Sequence, residues 1–477
     1  MKESMQFFRK ILVVCLSLIV LAGGFLPQEA AGITVKEEEE LSREFMKIVL
    51  SRFPLIKDPI IVNYVNEIGQ KIVALLPPQP FNYRFYVLKD NTFNAFASPA
   101  GHIFINSGLL LAMENESELA GIITHEVVHV LCRHISQKID RSQKIGMATM
   151  AGIAVGMLLG AGGSGTAANA LTMGSIAAGQ SLALAYSRED ETQADKIGLN
   201  YMNRAGYSAK GLLLILKKIR SRQWFGSDQI PTYLQTHPAV EDRMAYIDAW
   251  IANHEQKVAD RNSFNFERAT TWLFAAQGDE NAALQQFESA IKNHPENPMG
   301  HYGYGLVLAR TGNRKAAVDQ LKTALEKKAF DPYILKDLGR IYFLDGRYPE
   351  ALNTLSAAGG IAAFDPEGLF YLGRTQMEMD RLTDAVVTFE NLVAENSDYN
   401  QAYYFLGESC GRLGKLADAH YYLGIYYKND LNYKNAVFHL QKALETMKDP
   451  YKKDKIEEML KESRKELMLQ QKERIPG

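Results

Sequence analysis

The sequence predicts a mainly α-helical protein in two parts, an α+β domain with one small sheet followed by an all-α solenoid of helical repeats. Two observations predict this division. Up to about residue 255, helical patterns surround two short alternating apolar runs, whereas beyond about residue 264 alanine recurs every 34 residues. The predicted boundaries are 1–32 for a signal peptide, 33–260 for the first domain, 264–450 for the repeats and 451–477 for a capping helix and tail.

The overall composition is that of a globular protein without affinity for polyanions. The 477 residues are 47% hydrophobic and 23% charged. The net charge of −2 gives no electrostatic reason to expect a nucleic-acid partner. Three cysteines are too few for a disulfide framework, so Cys132 and Cys410 are expected as separate thiols, although an exported protein could keep one bridge.

The first 32 residues carry an export signal. Lys2, Arg9 and Lys10 precede an apolar run over residues 11–26, and small residues follow near Ala31. This order is typical of a secretory signal peptide that is cleaved. An uncleaved N-terminal anchor is the alternative.

Two helices and two strands are predicted next. The helix predicted over residues 34–51 has four glutamates at 37–40, which indicate a solvated helix start at the positive end of the helix dipole. Asp58 can cap a second helix that begins at Pro59 and stops before residue 77. Residues 81–87 and 102–106 alternate as strands do, and a turn-rich connection is expected between them.

The connection and second strand, residues 94–105, are a candidate substrate-binding edge. An extended peptide can add to a sheet edge through its backbone hydrogen bonds. Asn94, Ala95 and Phe96 are therefore candidate substrate-binding residues. A purely structural hairpin is the alternative.

A helix predicted over residues 116–134 carries the stretch Thr124-His125-Glu126-Val127-Val128-His129. His125 and His129 share one helix face, where two imidazole nitrogens can bind one Zn²⁺. Glu126 can act as the general base that takes a proton from an attacking water. The helix is apolar on most sides, and burial would make these polar groups costly without a metal. A chance motif on a solvated helix is the alternative.

Two further side chains near this motif are not expected to be metal ligands. Cys132 lies too far along the helix, and a small buried thiol is common. His134 leaves the face shared by the two motif histidines, so it is expected at the surface or behind a ligand.

Residues 145–185 form an uncharged insertion rich in glycine, alanine, methionine and leucine, and a glycine cluster at 160–165 interrupts it. One hypothesis is a pair of mobile apolar helices that form a lid or a peripheral membrane contact. The other is a pair of buried core helices.

An acidic helix after Ser187 can complete the metal site. Glu191 and Asp195 are four residues apart, so the first can join the two histidines as a ligand while the second hydrogen-bonds a ligand imidazole. A solvated helix start accounts for the neighbouring Glu189 and Asp190.

These motifs resemble the HtpX/Oma/CAAX-protease group of gluzincin metallopeptidases. The resemblance is carried by four motifs, namely Asn94-Ala95-Phe96-Ala97 with Gly101, His125-Glu126-x-x-His129, Ser187-Arg188-x-x-Glu191-x-x-Ala194-Asp195 and Thr236-His237-Pro238-Ala239-x-x-x-Arg243. It implies a gluzincin-type metallopeptidase domain with one Zn²⁺ per chain. His102 departs from the group, which more often has glycine there.

The resemblance also implies a role for each matching residue. His125, His129 and Glu191 would be the zinc ligands, Glu126 the general base and Asp195 the support of a ligand. His237 would be a displaceable fourth ligand that keeps the enzyme inactive, or else an ordinary histidine at a helix start. Arg243 would be a structural or a substrate-facing cation.

The second half has the 34-residue period of tetratricopeptide repeats. The recurring positions are Ala283, Ala317, Ala351, Ala385 and Ala419, each followed four places later by phenylalanine or leucine. The period slips after Leu406-Gly407, because Leu423-Gly424 begins a new frame half a repeat later. One helix near residues 417–427 should therefore serve both frames, and residues 452–474 should form a charged terminal helix.

The predicted function is an exported zinc-dependent endopeptidase that hydrolyses misfolded or misassembled envelope proteins. Its repeats would bind substrate or partner, or simply pack on the first domain. The domain combination resembles periplasmic proteases of Gram-negative bacteria, which implies misassembled outer-membrane proteins as substrates and the outer-membrane barrel-assembly machinery as partner. The alternative is a chaperone or assembly scaffold for outer-membrane proteins with a latent or minor protease activity.

Overall fold

The structure is a computed structural model that describes residues 33–141, 186–225, 231–254, 263–361 and 365–473. The predicted signal peptide and the whole of the apolar insertion at 145–185 lie outside these ranges. Within them, no helix is long and apolar enough to cross a membrane.

The described part of the first domain consists of helices around one small sheet. Its helices are α1 (Val35–Arg52), α2 (Pro59–Val73), α3 (Ser107–Ala112), α4 (Glu116–Leu131), α5 (His134–Arg141), α6 (Arg188–Arg204), α7 (Lys210–Phe225), α8 (Thr232–Thr236) and α9 (Val240–His254). Its strands are β1 (Arg84–Leu88), β2 (Ala95–Ala97) and β3 (His102–Asn106). Together with the repeats described below, these elements confirm the mainly α-helical class.

Helix starts follow the capping residues in the sequence. The side chains of Thr34 and Ser187 each accept a hydrogen bond from a backbone N–H of the first turn, in capping boxes that begin α1 and α6. Asp58 caps α2, and Pro59 occupies its first turn. These local signals allow the starts to be located without knowledge of the tertiary structure.

The sheet differs from the predicted pair of strands. Its order is β1-β3-β2, with β1 parallel and β2 antiparallel to β3. The supposed turn-rich connection therefore contains a third strand, and a hairpin between the two predicted strands is wrong. A three-residue strand is too short for its alternation to be recognised in the sequence.

The acidic start of α1 is only partly solvated. Glu38 is 1% exposed, and its carboxylate accepts a 2.8 Å hydrogen bond from Nε of Arg133. Arg133 also donates to the backbone carbonyl of Ile33 at 2.6 Å. The prediction of a solvated start holds for Glu37 and Glu39 and is wrong for Glu38, because a distant arginine packs onto it.

The repeat half is a continuous series of paired helices. They are α10 (Phe264–Gln277), α11 (Glu280–Asn293), α12 (Pro298–Arg310), α13 (Arg314–Lys327), α14 (Pro332–Leu344), α15 (Tyr348–Ile361), α16 (Pro366–Glu378), α17 (Leu382–Glu395), α18 (Asn400–Arg412), α19 (Leu416–Asn429), α20 (Tyr433–Thr446) and α21 (Pro450–Glu473). Glycines on the first helices allow the close approach within a pair. A Cβ at Gly339 would lie only 2.6 Å from Cγ of Leu355, and one at Gly373 only 2.7 Å from the ring of Phe389.

Helix α19 serves two repeat frames, as predicted. Leu423 of α19 packs onto Gly407 of α18, where a Cβ would lie 2.8 Å from its Cγ. Leu440 of α20 packs in the same way onto Gly424 of α19, where a Cβ would lie 2.6 Å from its Cδ2. Helix α19 is therefore the second helix of one pair and the first of the next. The predicted terminal helix is α21.

The repeats and the first domain share one hydrophobic core. Phe266 of α10 meets Tyr64 of α2 edge-on, with ring centroids 6.5 Å apart. The hydroxyls of Tyr64 and Ser263 both donate to the carboxylate of Glu116, the first residue of α4. Packing of the repeats on the first domain, one of their two predicted uses, is thus present.

A buried lysine adds a second polar contact between the halves. Lys336 of α14 is 1% exposed, and its Nζ donates to Asp58 at 3.2 Å and to Glu367 at 3.0 Å. Asp337 and Asp365 also lie within 3.9 Å of this ammonium group. The start of α2 is therefore held against the inner helices of the repeats by charge as well as by apolar packing.

Candidate metal centre

Four side chains from three segments converge in the first domain. His125 and His129 come from α4, Glu191 from the first turn of α6, and His237 from the end of α8. One nitrogen or oxygen atom of each lies within 4.8 Å of those of the others. Nε2 of His125 is 3.0 Å from Nε2 of His129, and Nδ1 of His237 is 3.0 Å from Oε1 of Glu191. All four side chains are buried.

The chemistry of this group fits a metal ion. Three imidazole nitrogens and a carboxylate oxygen are donors that zinc and related transition metals prefer. Burial acts to lower the pKa of His125, as does Arg243, but Glu191 and Asp195 raise it to about 9. The position between these carboxylates therefore favours a positive charge, which a metal cation can supply in place of a proton.

Glu126 lies beside the group with both carboxylate oxygens buried and without hydrogen-bond partners. Its Oε1 is 3.6 Å from Nε2 of His237. Burial raises the pKa of Glu126 above its ordinary value. A buried carboxylate without hydrogen-bond partners is costly, so these oxygens fit a position beside a bound water or substrate.

Asp195 and Arg243 form a buried pair behind the metal-binding group. Nε and Nη2 of Arg243 donate to the two carboxylate oxygens of Asp195 at 2.7 and 2.9 Å. Oδ1 of Asp195 also lies 3.0 Å from Nδ1 of His125. Burial acts to raise the pKa of Glu191, but Arg243 and the nearby histidines hold it well below its ordinary value. Of the two roles expected for Arg243, the geometry favours the structural cation over the substrate-facing one.

Two tyrosines that the sequence analysis did not single out form the walls of the centre. The ring of Tyr186 stacks on His129 at a centroid distance of 3.7 Å, and the ring of Tyr233 stacks on His237 at 4.2 Å. The N–H of Tyr186 donates to the carbonyl of Thr236 at 3.1 Å, which joins the two walls. Tyr186 directly precedes the Ser187 helix cap, but nothing in the sequence indicates a stacking role.

His134 lies behind His129 and not at the surface. It is 2% exposed, and its Nδ1 lies 2.8 Å from Nδ1 of His129. Helix α4 ends at Leu131, and Arg133 adopts the left-handed conformation with φ of 54°, so the chain folds back towards the centre. Burial lowers the pKa of His134. The surface position is therefore excluded, and His134 lies behind His129, the histidine that is expected to be a ligand.

Cys132 and Cys410 are both free thiols, so the part of the chain that the structure describes contains no bridge between them. Cys132 is half-buried and outside the four-residue group.

The candidate substrate-binding backbone lies at an edge of the described sheet. The carbonyl of Asn94 accepts a 3.0 Å hydrogen bond from the N–H of Asn106. Because hydrogen-bonding residues alternate along an antiparallel ladder, the backbone groups of Ala95 and Ala97 point away from β3. Both alanines are fully buried, so a peptide would reach them only after the cover of this edge moved.

Two side chains of this region are occupied by packing. Phe96 is fully buried and stacks on Phe104 at 4.9 Å, so its side chain belongs to the core and not to a substrate surface. His102, where the resembled group more often has glycine, stacks on Tyr86 and lies 3.1 Å from its hydroxyl through Nδ1. Burial lowers the pKa of His102 to about 4. Because the backbone groups of Phe96 point towards β3, a substrate at this edge would meet Phe96 only as a neighbour of Ala95 and Ala97.

Comparison with known families agrees with the division into two parts. Residues 62–251 match the model of peptidase family M48. Residues 272–332, 309–366 and 371–430 match a tetratricopeptide repeat model. The metal-binding group therefore lies inside the segment that matches the peptidase family model.

Three relatives illustrate the similarity. A Vibrio cholerae protein, provisionally named beta-barrel assembly-enhancing protease, is 30% identical over 284 residues, which are 58% of this chain and 58% of that protein. The Escherichia coli K12 beta-barrel assembly-enhancing protease is 28% identical over 45% of this chain and 43% of its own length. The Schizosaccharomyces pombe mitochondrial metalloendopeptidase OMA1 is 25% identical over 41% of this chain and 54% of its own. The chain thus spans about half the length of each.

Proposed function

We propose that this protein is a zinc-dependent endopeptidase that hydrolyses peptide bonds in misfolded or misassembled proteins. Its residues 62–251 match the model of peptidase family M48, and tetratricopeptide repeats follow them in the chain. The observation that carries the proposal is the buried group of His125, His129 and Glu191 next to the carboxylate of Glu126, which has no hydrogen-bond partner. Two imidazoles and one carboxylate are a ligand set of catalytic zinc sites.

His125, His129 and Glu191 would hold the zinc ion, which when bound supplies a Lewis acid for the substrate carbonyl and lowers the pKa of water. Asp195 would orient His125 through the 3.0 Å contact at Nδ1. Glu126 would accept a proton from the water that attacks the peptide carbonyl and then donate it to the leaving amine nitrogen. A pKa raised by burial suits a group that must both accept and release a proton.

The test is Glu126→Gln in the full mature chain, with an unfolded casein as substrate. Loss of one general base should reduce cleavage by about 10²–10⁴-fold while zinc content stays at one ion per chain. Zinc measured by elemental analysis shows that the site is intact in the variant. Undiminished cleavage by Glu126→Gln would contradict the peptidase mechanism.

We further propose that His237 is a displaceable fourth ligand that holds the enzyme inactive. Its Nε2 faces Glu126 at 3.6 Å, so the imidazole fills the space beside the base where water and the substrate carbonyl must lie. All four members of the group are at most 1% exposed, which supports a closed resting state. Opening would require His237 to leave the centre and its stacking partner Tyr233.

His237→Ala should therefore raise the initial rate of casein cleavage several-fold and leave one zinc ion bound. The cause is that three donors remain while the competing fourth is removed. The paired variant His237→Ala/Glu126→Gln controls for a contaminating protease and should be inactive. A His237→Ala protein that keeps its zinc but loses activity would contradict a regulatory role.

We propose that the protein is exported to the periplasm of a Gram-negative bacterium, where it acts on misassembled outer-membrane proteins beside the barrel-assembly machinery. The support is the leader-like sequence at 1–32 and the name of the bacterial relatives, beta-barrel assembly-enhancing protease. Fusing residues 1–32 to a phosphatase that is active only after export tests the location; an inactive fusion would contradict it. Membrane contact by residues 145–185 stays a prediction.

Substrate would pair in extended form with the outward backbone groups of Ala95 and Ala97, next to Asn94 and Phe96. The repeats would then bind a more distant part of the same chain or a partner protein.

A second function is a chaperone or assembly scaffold with minor protease activity. The burial of the whole centre favours it as an alternative, since a closed site restricts hydrolysis. The two functions are distinguished by whether Glu126→Gln still suppresses aggregation of an unfolded outer-membrane barrel protein. Full suppression without cleavage would make the scaffold role the main one.

A further inference from the structure

We propose that His134 and Gln193 are positioning residues of the metal centre, which together determine the nitrogen of His129 that carries the proton. The proposal rests on the proposed metal site and adds a hydrogen-bonded chain that keeps Nε2 of His129 available to the metal. His134 would touch neither the metal nor the substrate.

The orientation of His129 determines which of its nitrogens can be the ligand. Its Nε2 faces the other members of the group, at 3.0 Å from Nε2 of His125 and 3.4 Å from Oε1 of Glu191. A neutral imidazole carries one proton, on one nitrogen only. If Nε2 binds the metal, the proton of His129 must be on Nδ1, and Nδ1 needs an acceptor.

His134 supplies this acceptor through its own Nδ1, at 2.8 Å. Because that nitrogen accepts, the proton of His134 must be on Nε2. Nε2 in turn donates to Oε1 of Gln193 at 3.1 Å. The three side chains then form one directed chain, in which each N–H has an acceptor and no two donors face each other.

The direction of this chain has a second source of support besides the amide of Gln193. Oδ1 of Asp190 lies 3.9 Å from Nε2 of His134. An ionised carboxylate can only accept hydrogen bonds, so its negative charge favours a proton on Nε2 of His134 and disfavours a lone pair there. The reverse chain would turn the lone pair of Nε2 of His134 towards this carboxylate and place the proton of His129 on Nε2, the nitrogen that faces the metal-binding group.

The local backbone is built to bring His134 to this position. Arg133, with φ of 54°, ends α4 in a left-handed turn, and α5 begins at His134. The guanidinium of Arg133 is held by the carboxylate of Glu38 and the carbonyl of Ile33. Left-handed backbone is costly for a side chain such as arginine, so contacts with α1 must maintain the turn.

The two motif histidines thus have different supports. His125 is backed by the carboxylate of Asp195 at 3.0 Å, whereas His129 is backed by a neutral imidazole at 2.8 Å. A neutral acceptor fixes the tautomer without adding another negative charge to a centre that already holds Glu126, Glu191 and Asp195. Mutation of a hydrogen-bond partner of a metal ligand commonly lowers metal affinity by about 10–100-fold.

The main test is the zinc affinity of the full mature chain, measured by competition with a chromogenic chelator. His134→Ala removes the acceptor and should weaken zinc binding by about 10–100-fold. His134→Gln offers an amide oxygen to Nδ1 of His129 and should recover most of the affinity. His254→Ala, at an exposed helix end, is the control and should bind zinc as the unmodified protein does.

A direct measurement of the histidine tautomers distinguishes general damage to the fold of a variant from loss of the proposed positioning of His129. Nitrogen-15 spectra of histidine-labelled protein should show the proton of His134 on Nε2, and in the zinc-loaded protein the proton of His129 on Nδ1. Gln193→Leu keeps both imidazoles and should weaken zinc binding less than His134→Ala. If His134 carries its proton on Nδ1, or His134→Ala binds zinc as tightly as the unmodified protein, the proposal is overturned.

These outcomes are independent of the proposed protease activity. A protein that binds zinc with the expected tautomers but cleaves nothing would contradict the proposed function and leave the positioning role in place. Conversely, cleavage that requires Glu126, together with an unchanged zinc affinity in His134→Ala, would support the proposed function and contradict the positioning role.

Discussion

The buried carboxylate of Asp195 interacts with two side chains, Arg243 and His125. Its two oxygens accept from Arg243 at 2.7 and 2.9 Å, and Oδ1 also faces Nδ1 of His125. Burial opposes ionisation of Asp195, but Arg243 and His125 hold its pKa below the ordinary value. The carboxylate is therefore ionised, and its charge is needed by both neighbours.

Replacing Asp195 by alanine should destabilise the metal-free protein, because Arg243 would remain buried without its bidentate partner. Breaking a buried pair by removing one member costs about 3–5 kcal/mol in the free energy of unfolding. The measurement is chemical denaturation of the full chain after removal of metal by a chelator. The double variant Asp195→Ala/Arg243→Met is the control and should recover most of the loss. A single variant as stable as the unmodified protein would show that the pair is not needed for folding.

Helix α19 is the element on which the geometry of the last repeats depends. It offers Leu423 to Gly407 on one side and receives Leu440 at Gly424 on the other. Because this helix is the second of one pair and the first of the next, a substitution in its packed faces should affect both pairs. The half-repeat shift in the sequence is thus expressed as a shared helix and not as a broken solenoid.

Gly424→Ala should destabilise α19 to α21 selectively. The new Cβ would lie 2.6 Å from Cδ2 of Leu440, and overpacking of this kind costs about 1–3 kcal/mol. The matched control is Gly411→Ala, where the Cβ would lie 3.8 Å from that of Ala419; the substitution should be neutral or stabilising by about 0.5–1 kcal/mol. Amide hydrogen exchange in α20 is the readout. Equal protection in the two variants would contradict the shared-helix packing.

The repeats pack on the first domain, and residues of both halves share one hydrophobic core. The contact centred on Lys336 is electrostatically crowded, because Asp58, Asp337, Asp365 and Glu367 all lie near one ammonium group. Burial raises the pKa of Asp58 to about 6, an effect that Lys336 opposes and the carboxylates of Asp337 and Glu367 reinforce. The start of α2 is thus held to the repeats by a cluster in which the carboxylates around Lys336 outnumber the cations, even with Arg340 beside Asp337 and Glu367.

This crowding predicts a pH dependence of stability that belongs to Asp58. Between pH values of about 4 and 6 the folded protein binds the proton of Asp58 more tightly than the unfolded chain does. The folded state therefore holds more protons in this window, and this contribution to the free energy of unfolding falls as the pH rises through it. Above about pH 6 the ionised carboxylate persists at a cost on the order of 3 kcal/mol.

Asp58→Asn tests this dependence, since asparagine also caps helices well and keeps the start of α2. Relative to the unmodified protein, the variant should gain stability between about pH 4.5 and pH 7, measured by urea denaturation at each pH. The matched control is Asp345→Asn, an exposed C-cap residue, which should shift the curve equally at both pH values. A difference that does not change with pH would exclude Asp58 as the titrating group.

The sequence by itself determined whatever depends on short, regular spacings. The four-residue separation of His125 and His129, the helix caps at Thr34, Asp58 and Ser187, and the 34-residue period with its half-repeat shift are all local patterns. Helix and repeat geometry turn such patterns directly into shared faces and close pairs, so the class, the motif helix and the shared α19 were predictable.

Only the tertiary structure decided the contacts that join residues far apart in the chain. Glu38 meets Arg133, Tyr233 stacks on the imidazole of His237, and His134 turns back onto His129, although none of these pairings leaves a periodic mark in the sequence. Each depends on a turn or on a helix docked from elsewhere. Burial then gives each contact its strength, because charges and hydrogen bonds removed from water must find partners within the fold.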